Sequence, residues 1–302
     1  MYDNDSRGIS YSAGFFMLIA FVIGGLFMAA IISEQIWIRA TGLPFKEMAN
    51  QLSNPEYSKY MKIIQAVNSI VGFLLPTIAT AFMLHRRPMR LLGLDRAPEI
   101  RQAGVAVLLI AASLLVATAF SYVTHLIPLS ESLKASFDKM EADYANQVAG
   151  IMNLKNRTDY LIAIVLMAFI PAVCEEVLFR GGLQNYLTRS TNRPWLAIIA
   201  VSILFSIAHL SYYGFLFRVT LGIVLGAIYY YSGKLWLSIL AHFVNNALAI
   251  TLYYLAIREG KPMAEAMRQE DTFSFWGILA LPALIALLIV FRRISTRNTR
   301  LA

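Results

Sequence analysis

Eight apolar stretches recur along this sequence, each about as long as a helix that crosses a membrane. A hydrocarbon layer about 30 Å thick takes roughly 20 apolar residues of helix, because each residue advances the axis by about 1.5 Å. The stretches are approximately 11–32, 63–84, 103–123, 160–187, 195–210, 215–232, 235–257 and 274–291. Hydrophobic residues make up 58% of the 302 residues, which is more than a soluble domain of this length needs for its core. The sequence therefore predicts an all-α membrane protein, a bundle of about eight transmembrane helices.

Basic residues lie beside the apolar stretches. The formal net charge is +8, but its two densest clusters follow the second stretch and the last one, so membrane topology explains the charge and no nucleic-acid partner is expected. The clusters are Arg86, Arg87, Arg90, Arg96 and Arg101, and Arg292, Arg293, Arg297 and Arg300. Eight spans place both clusters on one side. Since lysine and arginine concentrate in cytoplasmic loops, both termini are predicted to be cytoplasmic.

The chain divides into three parts by the distribution of its polar residues. Residues 1–158 are predicted to form a three-span frame with an extramembrane segment, 159–257 a four-span core, and 258–302 a last span with a basic tail. Within 124–158, apolar residues recur every three or four positions among charged ones, which predicts an amphipathic helix. Its apolar residues are Leu133, Phe137, Met140, Tyr144, Val148 and Ile151. Such a helix lies on the membrane interface, caps the bundle or packs as a connection.

The fourth, fifth and seventh stretches contain most of the ionisable residues found inside the apolar segments. A charged group inside a membrane helix costs several kcal/mol, so each is a functional candidate with an expected partner. Counted from the predicted cytoplasmic helix ends, four polar residues lie about 12–22 Å deep and converge near mid-membrane. These four are Glu175, His209, His242 and Asn246. Their convergence requires the apolar window of the fourth helix to lie late, at about 166–187.

Spacing within each helix adds detail to this cluster. Glu176 and Arg180 are four residues apart on one helix face, in the order that favours an ion pair. Glu175 is rotated by about 100° from Glu176, so one carboxylate can be structural while its neighbour takes part in chemistry. His242 and Asn246 are also four apart, and both can therefore point at the same spot.

The residue types in the cluster suit hydrolysis of an acyl bond. A buried carboxylate beside a histidine can activate water, and donors opposite can hold the developing oxyanion. We expect Glu175 to be the general base and His209 to orient the water or bind a metal, with oxyanion donors from His242 and Asn246. A His₂Glu set made of Glu175, His209 and His242 could equally hold zinc with an open position for water. The sequence leaves both mechanisms open.

Three motifs in this region resemble those of the CPBP intramembrane proteases. That family includes the type II CaaX prenyl endopeptidases and bacterial bacteriocin-processing and self-immunity proteins. The motifs are Glu-Glu-x-x-x-Arg at Glu175, Glu176 and Arg180, Phe-x-x-x-His at Phe205 and His209, and His-x-x-x-Asn at His242 and Asn246. The ordered set covers roughly residues 159–257 on successive spans, which makes this part the predicted catalytic core.

The resemblance implies an intramembrane endopeptidase that uses the residues of the cluster. It implies that Glu175 and His209 activate the water and that His242 and Asn246 form the oxyanion site. Glu176 and Arg180 support them, and Phe205 packs beneath His209. The implied substrate is a membrane-associated protein or peptide, with CaaX-type processing of a lipidated one as the narrower form. The implied setting is the bilayer of a bacterial inner membrane, and zinc is the one cofactor under consideration.

Two other classes of function use similar residues. Carboxylate and histidine relays at the midplane also occur in transporters and proton-coupled channels, although the two related halves of such proteins are not apparent in this sequence. A non-catalytic membrane protein that gives immunity to a bacteriocin is the other alternative. Other classes of membrane protease are poorly supported, because the sequence has neither His-Glu-x-x-His nor Gly-x-Ser-x-Gly.

Overall fold

The computed structural model of the protein describes residues 5–52, 54–261 and 275–299. Within these ranges the chain is helical and contains no β-strand, which confirms the predicted all-α membrane bundle. Position 274, the predicted start of the last span, and Arg300 of the basic tail lie outside the described residues. The helices are α1 (Tyr11–Thr41), α2 (Pro55–Leu84), α3 (Pro88–Leu92), α4 (Ile100–His125), α5 (Glu131–Met152), α6 (Arg157–Thr191), α7 (Pro194–Ile207), α8 (Phe215–Ser232), α9 (Leu235–Arg258) and α10 (Phe275–Thr299).

The described residues of the eight apolar stretches lie in helices except at the end of the fifth stretch, where 208–210 form a turn. Among the described residues, seven helices are long enough to span a membrane. The seven are α1, α2, α4, α6, α8, α9 and α10. The fifth stretch forms α7, whose 14 residues make about 21 Å of helix, shorter than the hydrocarbon layer. The predicted bundle of about eight transmembrane helices is therefore present as seven candidate spans and one shorter apolar helix among the described residues. This helix ends early because the chain turns at His209 and Leu210, before the apolar run is complete.

Helix α6 is the longest helix in the described part of the chain and carries both predicted carboxylates. Asn156 caps its first turn by accepting a hydrogen bond from the Asp159 amide at 2.9 Å, and Asn192 ends it with a left-handed φ of 56°. Residues Ile164–Phe169 form a π-helical segment just before Pro171, whose missing N–H interrupts the regular helix. A second π-helical segment, Val177–Gln184, follows the carboxylates. Wide turns of this kind change the direction of the side chains that follow them.

Helices α6 and α8 are joined by a pair of matching hydrogen bonds. Arg180 Nη2 donates to the Gly222 carbonyl at 3.2 Å, and Gln184 Nε2 donates to the Gly226 carbonyl at 2.9 Å. Both the donors and the acceptors are four residues apart, so one face of α6 lies along one face of α8. The glycines also leave room for α7, because a Cβ atom at Gly222 would lie 2.8 Å from Ser202 Cβ. This packing holds Glu176, one turn before Arg180, at a defined place inside the bundle.

One end of the bundle gathers the chain start, the loop between α2 and α4, and the α8–α9 turn. Asp5 lies 3.6 Å from Arg90, Leu235 donates its amide to the Gly93 carbonyl at 2.9 Å, and Lys234 pairs with Glu99 at 2.8 Å. The last helix reaches the same end, where Gln102 Nε2 and Ser295 Oγ are 3.3 Å apart. The described arginines of the two dense clusters, with Arg292 and Arg293 from the second, are therefore on one side of the protein, as predicted. That this side is cytoplasmic stays a prediction.

Helix α5 lies at the opposite end and covers the bundle there. The amphipathic helix predicted within 124–158 is thus confirmed as a helix. Its polar side chains bind the loop after α7, since Tyr213 donates to Asp138 at 2.6 Å and Ser211 donates to Glu141 at 3.0 Å. The Phe137 ring stacks on Tyr212 with a centroid distance of 4.3 Å. Together these contacts place the loop and α5 over the interior space between α6, α8 and α9.

Candidate active site

The two neighbouring carboxylates of α6 lie in different environments. Glu176 is completely buried, whereas the side chain of Glu175 is 16% exposed and borders a cavity of about 2180 Å³ that opens to the protein surface. Residues one apart on a helix point about 100° apart, so the two carboxylates face different neighbours. The two carboxylates thus differ in burial and in neighbours, and their division into a structural and a catalytic group stays a prediction.

Glu176 is held by two partners that meet at one of its oxygens. Arg180 Nη1 lies 3.0 Å from Glu176 Oε1, so the predicted ion pair is present. His242 Nδ1 lies 2.9 Å from the same oxygen, in a contact that the sequence analysis did not anticipate. Because a carboxylate oxygen can only accept, His242 Nδ1–H is the donor and the orientation of the ring is determined. The other nitrogen, Nε2, faces Glu175 Oε2 at 3.8 Å.

His209 follows the last turn of α7 and borders the same cavity. Its Nδ1 lies 2.8 Å from the Phe205 carbonyl oxygen, which can only accept, so Nδ1 carries the proton. Neutral His209 therefore has an unprotonated Nε2, the form that suits a base or a ligand. The next residue, Leu210, has a left-handed φ of 49°, a conformation that costs a branched side chain about 1–2 kcal/mol. This strained turn redirects the chain immediately after the histidine.

Phe205 lies between the groups on α6, α7 and α9. Its ring centroid is 4.7 Å from that of His209 and 5.8 Å from that of His242. Arg180 Cζ lies 4.9 Å from the same centroid, within the range of a cation–π contact. Phe205 therefore packs against both imidazoles and the buried guanidinium, and its supporting role stays a prediction.

Asn246 also borders the cavity, one turn after His242 on α9. Its Oδ1 accepts a hydrogen bond from Asn245 Nδ2 at 3.0 Å, which leaves the Asn246 amide nitrogen as the donor for a bound group. Asn245 lines the cavity as well. The four predicted site residues, Glu175, His209, His242 and Asn246, thus meet around one space.

The proposed zinc ligands do not form a compact group. Among the residues that the structure describes, no three histidine, cysteine, aspartate or glutamate side chains are arranged so that they could hold a metal ion. Glu175 and His242 approach only to 3.8 Å, and His242 uses its other nitrogen for Glu176. The observed donor set therefore does not fit a three-ligand site. Zinc stays a prediction from the sequence.

Two residues that the sequence analysis missed belong to this region. Gln184 lies four residues after Arg180 and binds α8. The Gly-x-x-x-Gly pattern at Gly222 and Gly226 indicates a close helix contact and could have pointed to it. Arg218, in the first turn of α8, borders the cavity near His209. As an arginine within an apolar stretch, it could have been found by the same rule that singled out Glu175.

Comparison with known proteins found one family model that matches the part of the chain around this site. Residues 157–248 match the model of the Rce1-like type II CAAX prenyl endopeptidases, from the start of α6 through most of α9. The searches of curated proteins and of solved structures found no match. The matched segment contains all seven residues of the three motifs, Glu175, Glu176, Arg180, Phe205, His209, His242 and Asn246.

Proposed function

We propose that this membrane protein hydrolyses peptide bonds through Glu175. The premise is that residues 157–248, which match the Rce1-like model, form a domain of the CPBP family. The family indicates a CAAX-type intramembrane protease in general terms. The finer proposal rests on one observation. The partly exposed carboxylate of Glu175 shares a single cavity with His209, His242 and Asn246, while Glu176 is occupied elsewhere.

In the proposed reaction a water molecule lies between Glu175 and Nε2 of His209. Glu175 takes a proton from the water while the water oxygen attacks the scissile carbonyl carbon. His209 orients the water through its unprotonated nitrogen. The new C–O bond forms, the C–N bond breaks, and the proton on Glu175 passes to the leaving amine. Both carboxylates and both histidines are then ready for another cycle.

The oxyanion that forms during the attack is bound by donors from α9. The Asn246 amide is one, in a water-poor site where such a donor contributes more than it would in water. His242 is the second, and the geometry sets a condition on it. Since Nδ1–H already donates to Glu176, His242 Nε2 can donate only when the ring is an imidazolium. Glu176 then stabilises this charged form from the far side of the ring.

The substrate we propose is a membrane-associated protein or peptide that reaches the cavity from the bilayer. A lipid attached near the cleavage site is the narrower form of this proposal. Proteomic comparison of membranes that contain the wild-type protein or the Glu175→Gln variant identifies substrates directly, because uncleaved forms accumulate in the variant. A single peptide whose uncleaved form depends on Glu175 defines the substrate class.

The protease proposal predicts loss of cleavage from four separate substitutions. A positioned general base contributes typically 10²–10⁴-fold and one oxyanion donor about 10²–10³-fold. We therefore expect Glu175→Gln, His209→Ala and His242→Ala to lower kcat/KM by at least about 100-fold and Asn246→Ala by about 100-fold. Cys174→Ala is the matched control, because this buried thiol adjoins Glu175 but does not line the cavity. It should cleave normally.

Cleavage by Glu175→Gln at the wild-type rate would contradict the protease proposal.

The same purified samples test whether zinc takes part. Their metal content is measured, and cleavage is compared before and after chelation. Activity that disappears with the chelator and returns with zinc supports a metal-assisted reaction. If reconstituted vesicles instead show solute or proton flux that depends on Glu175, the protein is a transporter.

A further inference from the structure

Arg218 is a cation of the cavity wall with an unused donor. It lies in the first turn of α8 and borders the cavity that also contains Glu175 and His209. Its Nη1 atom is buried and has no hydrogen-bond partner among the described residues. A buried polar group without a partner costs roughly 1–3 kcal/mol, and more when it is charged. The arrangement is therefore incomplete as it stands.

Two acidic side chains of α5 in the cavity wall are engaged with other residues. Asp138 accepts a hydrogen bond from Tyr213 at 2.6 Å, and Glu141 accepts one from Ser211 at 3.0 Å. Within the described residues, no carboxylate approaches the Arg218 guanidinium to within the 4.0 Å of an ion pair. No described residue thus neutralises the charge of Arg218, although an anion in the cavity could reach it.

Gly214 provides the space in which this guanidinium lies. A Cβ atom at Gly214 would overlap Arg218 Nη1 and lie 2.7 Å from Ser211 Oγ. The backbone of Gly214 has φ −80° and ψ 0°, which other residues also adopt, so conformation does not require glycine here. Space does. The loop before α8 is therefore shaped around the arginine side chain, as a built binding site would be.

We propose that Arg218 binds a carboxylate of the peptide substrate and so sets where the peptide lies relative to Glu175. This inference rests on the proposed function. The planar guanidinium matches a carboxylate in a charge-assisted, two-pronged hydrogen bond. The free C-terminal carboxylate of a peptide and an aspartate or glutamate side chain offer the same chemistry. Either would pair the unused donor and hold the scissile bond at a fixed distance from the anion.

The experiment measures retention of peptides on immobilised protein in detergent, with Glu175→Gln as the background so that nothing is cleaved. Three libraries of otherwise uncharged hexapeptides serve as probes. One has a free C-terminal carboxylate, one has a C-terminal amide, and one has the amide together with a single internal aspartate. Mass spectrometry counts what each protein retains. Preference for the first library over the second identifies the terminus, and preference for the third identifies a side chain.

We expect the Glu175→Gln protein to retain one carboxylate library about 10- to 100-fold better than the plain amide library, the range for a hydrogen bond to a charged group. The added substitution Arg218→Gln should reduce this ratio to about one. Arg218→Lys should keep part of it. Gly214→Ala should reduce it with the arginine still present, because the methyl group displaces the guanidinium. Arg193→Gln, at the exposed start of α7, is the matched control and should keep the full ratio.

Equal retention of all three libraries by the Glu175→Gln protein would overturn the assignment of Arg218. So would an Arg218→Gln protein that is folded and keeps the preference. Cleavage by proteins with intact Glu175 is measured in parallel, so that the two proposals can fail separately. If the protein prefers carboxylate peptides but cleaves none, the binding role of Arg218 is kept and the protease proposal is rejected. If it cleaves peptides without a carboxylate preference, the protease proposal is kept and the binding role of Arg218 is rejected.

Discussion

Glu175 and Glu176 are adjacent in the chain, yet their surroundings assign them different tasks. Glu176 has no exposure and is shared by Arg180 and His242. Such a buried pair contributes little net stability against well-packed apolar residues, but removing one partner leaves the other charge unpaired. Its benefit is positional, because it holds the ring of His242 with Nε2 toward the cavity. Glu175 keeps its freedom to act on a bound molecule.

At the scale of the residue, we therefore expect Glu176→Gln to lower the free energy of unfolding by about 3–5 kcal/mol, since the guanidinium of Arg180 stays buried without its anion. Cleavage should fall as well, because His242 loses the charge that favours its imidazolium. Thermal unfolding in detergent and the peptide assay measure the two effects. Glu259→Gln is the control, as its pair with Lys261 is mostly exposed and should cost less than about 1 kcal/mol.

The double variant Glu176→Gln/Arg180→Met separates stability from positioning. Methionine removes the unpaired charge, so part of the lost stability should return. Cleavage should stay low, because neither substitution restores the acceptor charge at His242. A double variant with full activity would contradict the positioning role of Glu176.

At the scale of the helix, α8 is the element against which the site is assembled. Its glycines accept the hydrogen bonds of Arg180 and Gln184 from α6 and leave room for Ser202 of α7. Small residues matter here because membrane helices gain little from hydrophobic association and depend on close packing and hydrogen bonds. If α8 were displaced, Arg180 would lose its hydrogen-bond acceptor, and the positions of Arg180 and Glu176 on α6 would change with it.

Gly222→Ala is expected to lower the stability of the fold by about 1–3 kcal/mol, because the added methyl group lies 2.8 Å from Ser202 Cβ and 3.2 Å from its Cα. Denaturant unfolding in detergent measures the change. Gly104→Ala is the matched control on α4, where an added Cβ meets nothing within 4 Å. That substitution should stabilise the helix by about 0.5–1 kcal/mol. Equal behaviour of the two variants would mean that α7 and α8 are not closely packed.

At the scale of the whole molecule, the cavity and the arginine clusters lie toward opposite ends. Residues of α5 border the cavity, whereas Arg87 and Arg90 contact the chain start at the other end of the bundle. If the basic end is cytoplasmic, as the positive-inside rule predicts, the end that α5 covers faces away from the cytoplasm. Substrates would then approach from the non-cytoplasmic side.

Cysteine labelling tests this orientation with little background, since Cys174 is the single cysteine of the chain and is buried. In a Cys174→Ala background, Lys139→Cys places a thiol on exposed α5 and Arg96→Cys places one in the basic loop. We expect a membrane-impermeant maleimide to label Lys139→Cys in sealed cells and Arg96→Cys only after lysis. The opposite pattern would turn the cavity toward the cytoplasm.

The sequence by itself determined the helical class and the positions of the apolar segments, and it singled out Glu175, His209, His242 and Asn246, which line one cavity. These follow from local quantities, namely the helical rise, the hydrocarbon thickness and spacings of four residues such as Glu176 with Arg180 or His242 with Asn246. Tertiary structure alone decided that α7 stops short, that His242 binds Glu176, and that Arg218 lies over Gly214 with a donor unused. The reason is that wide turns in α6 and the rotation of each helix depend on packing between helices, which no local spacing encodes.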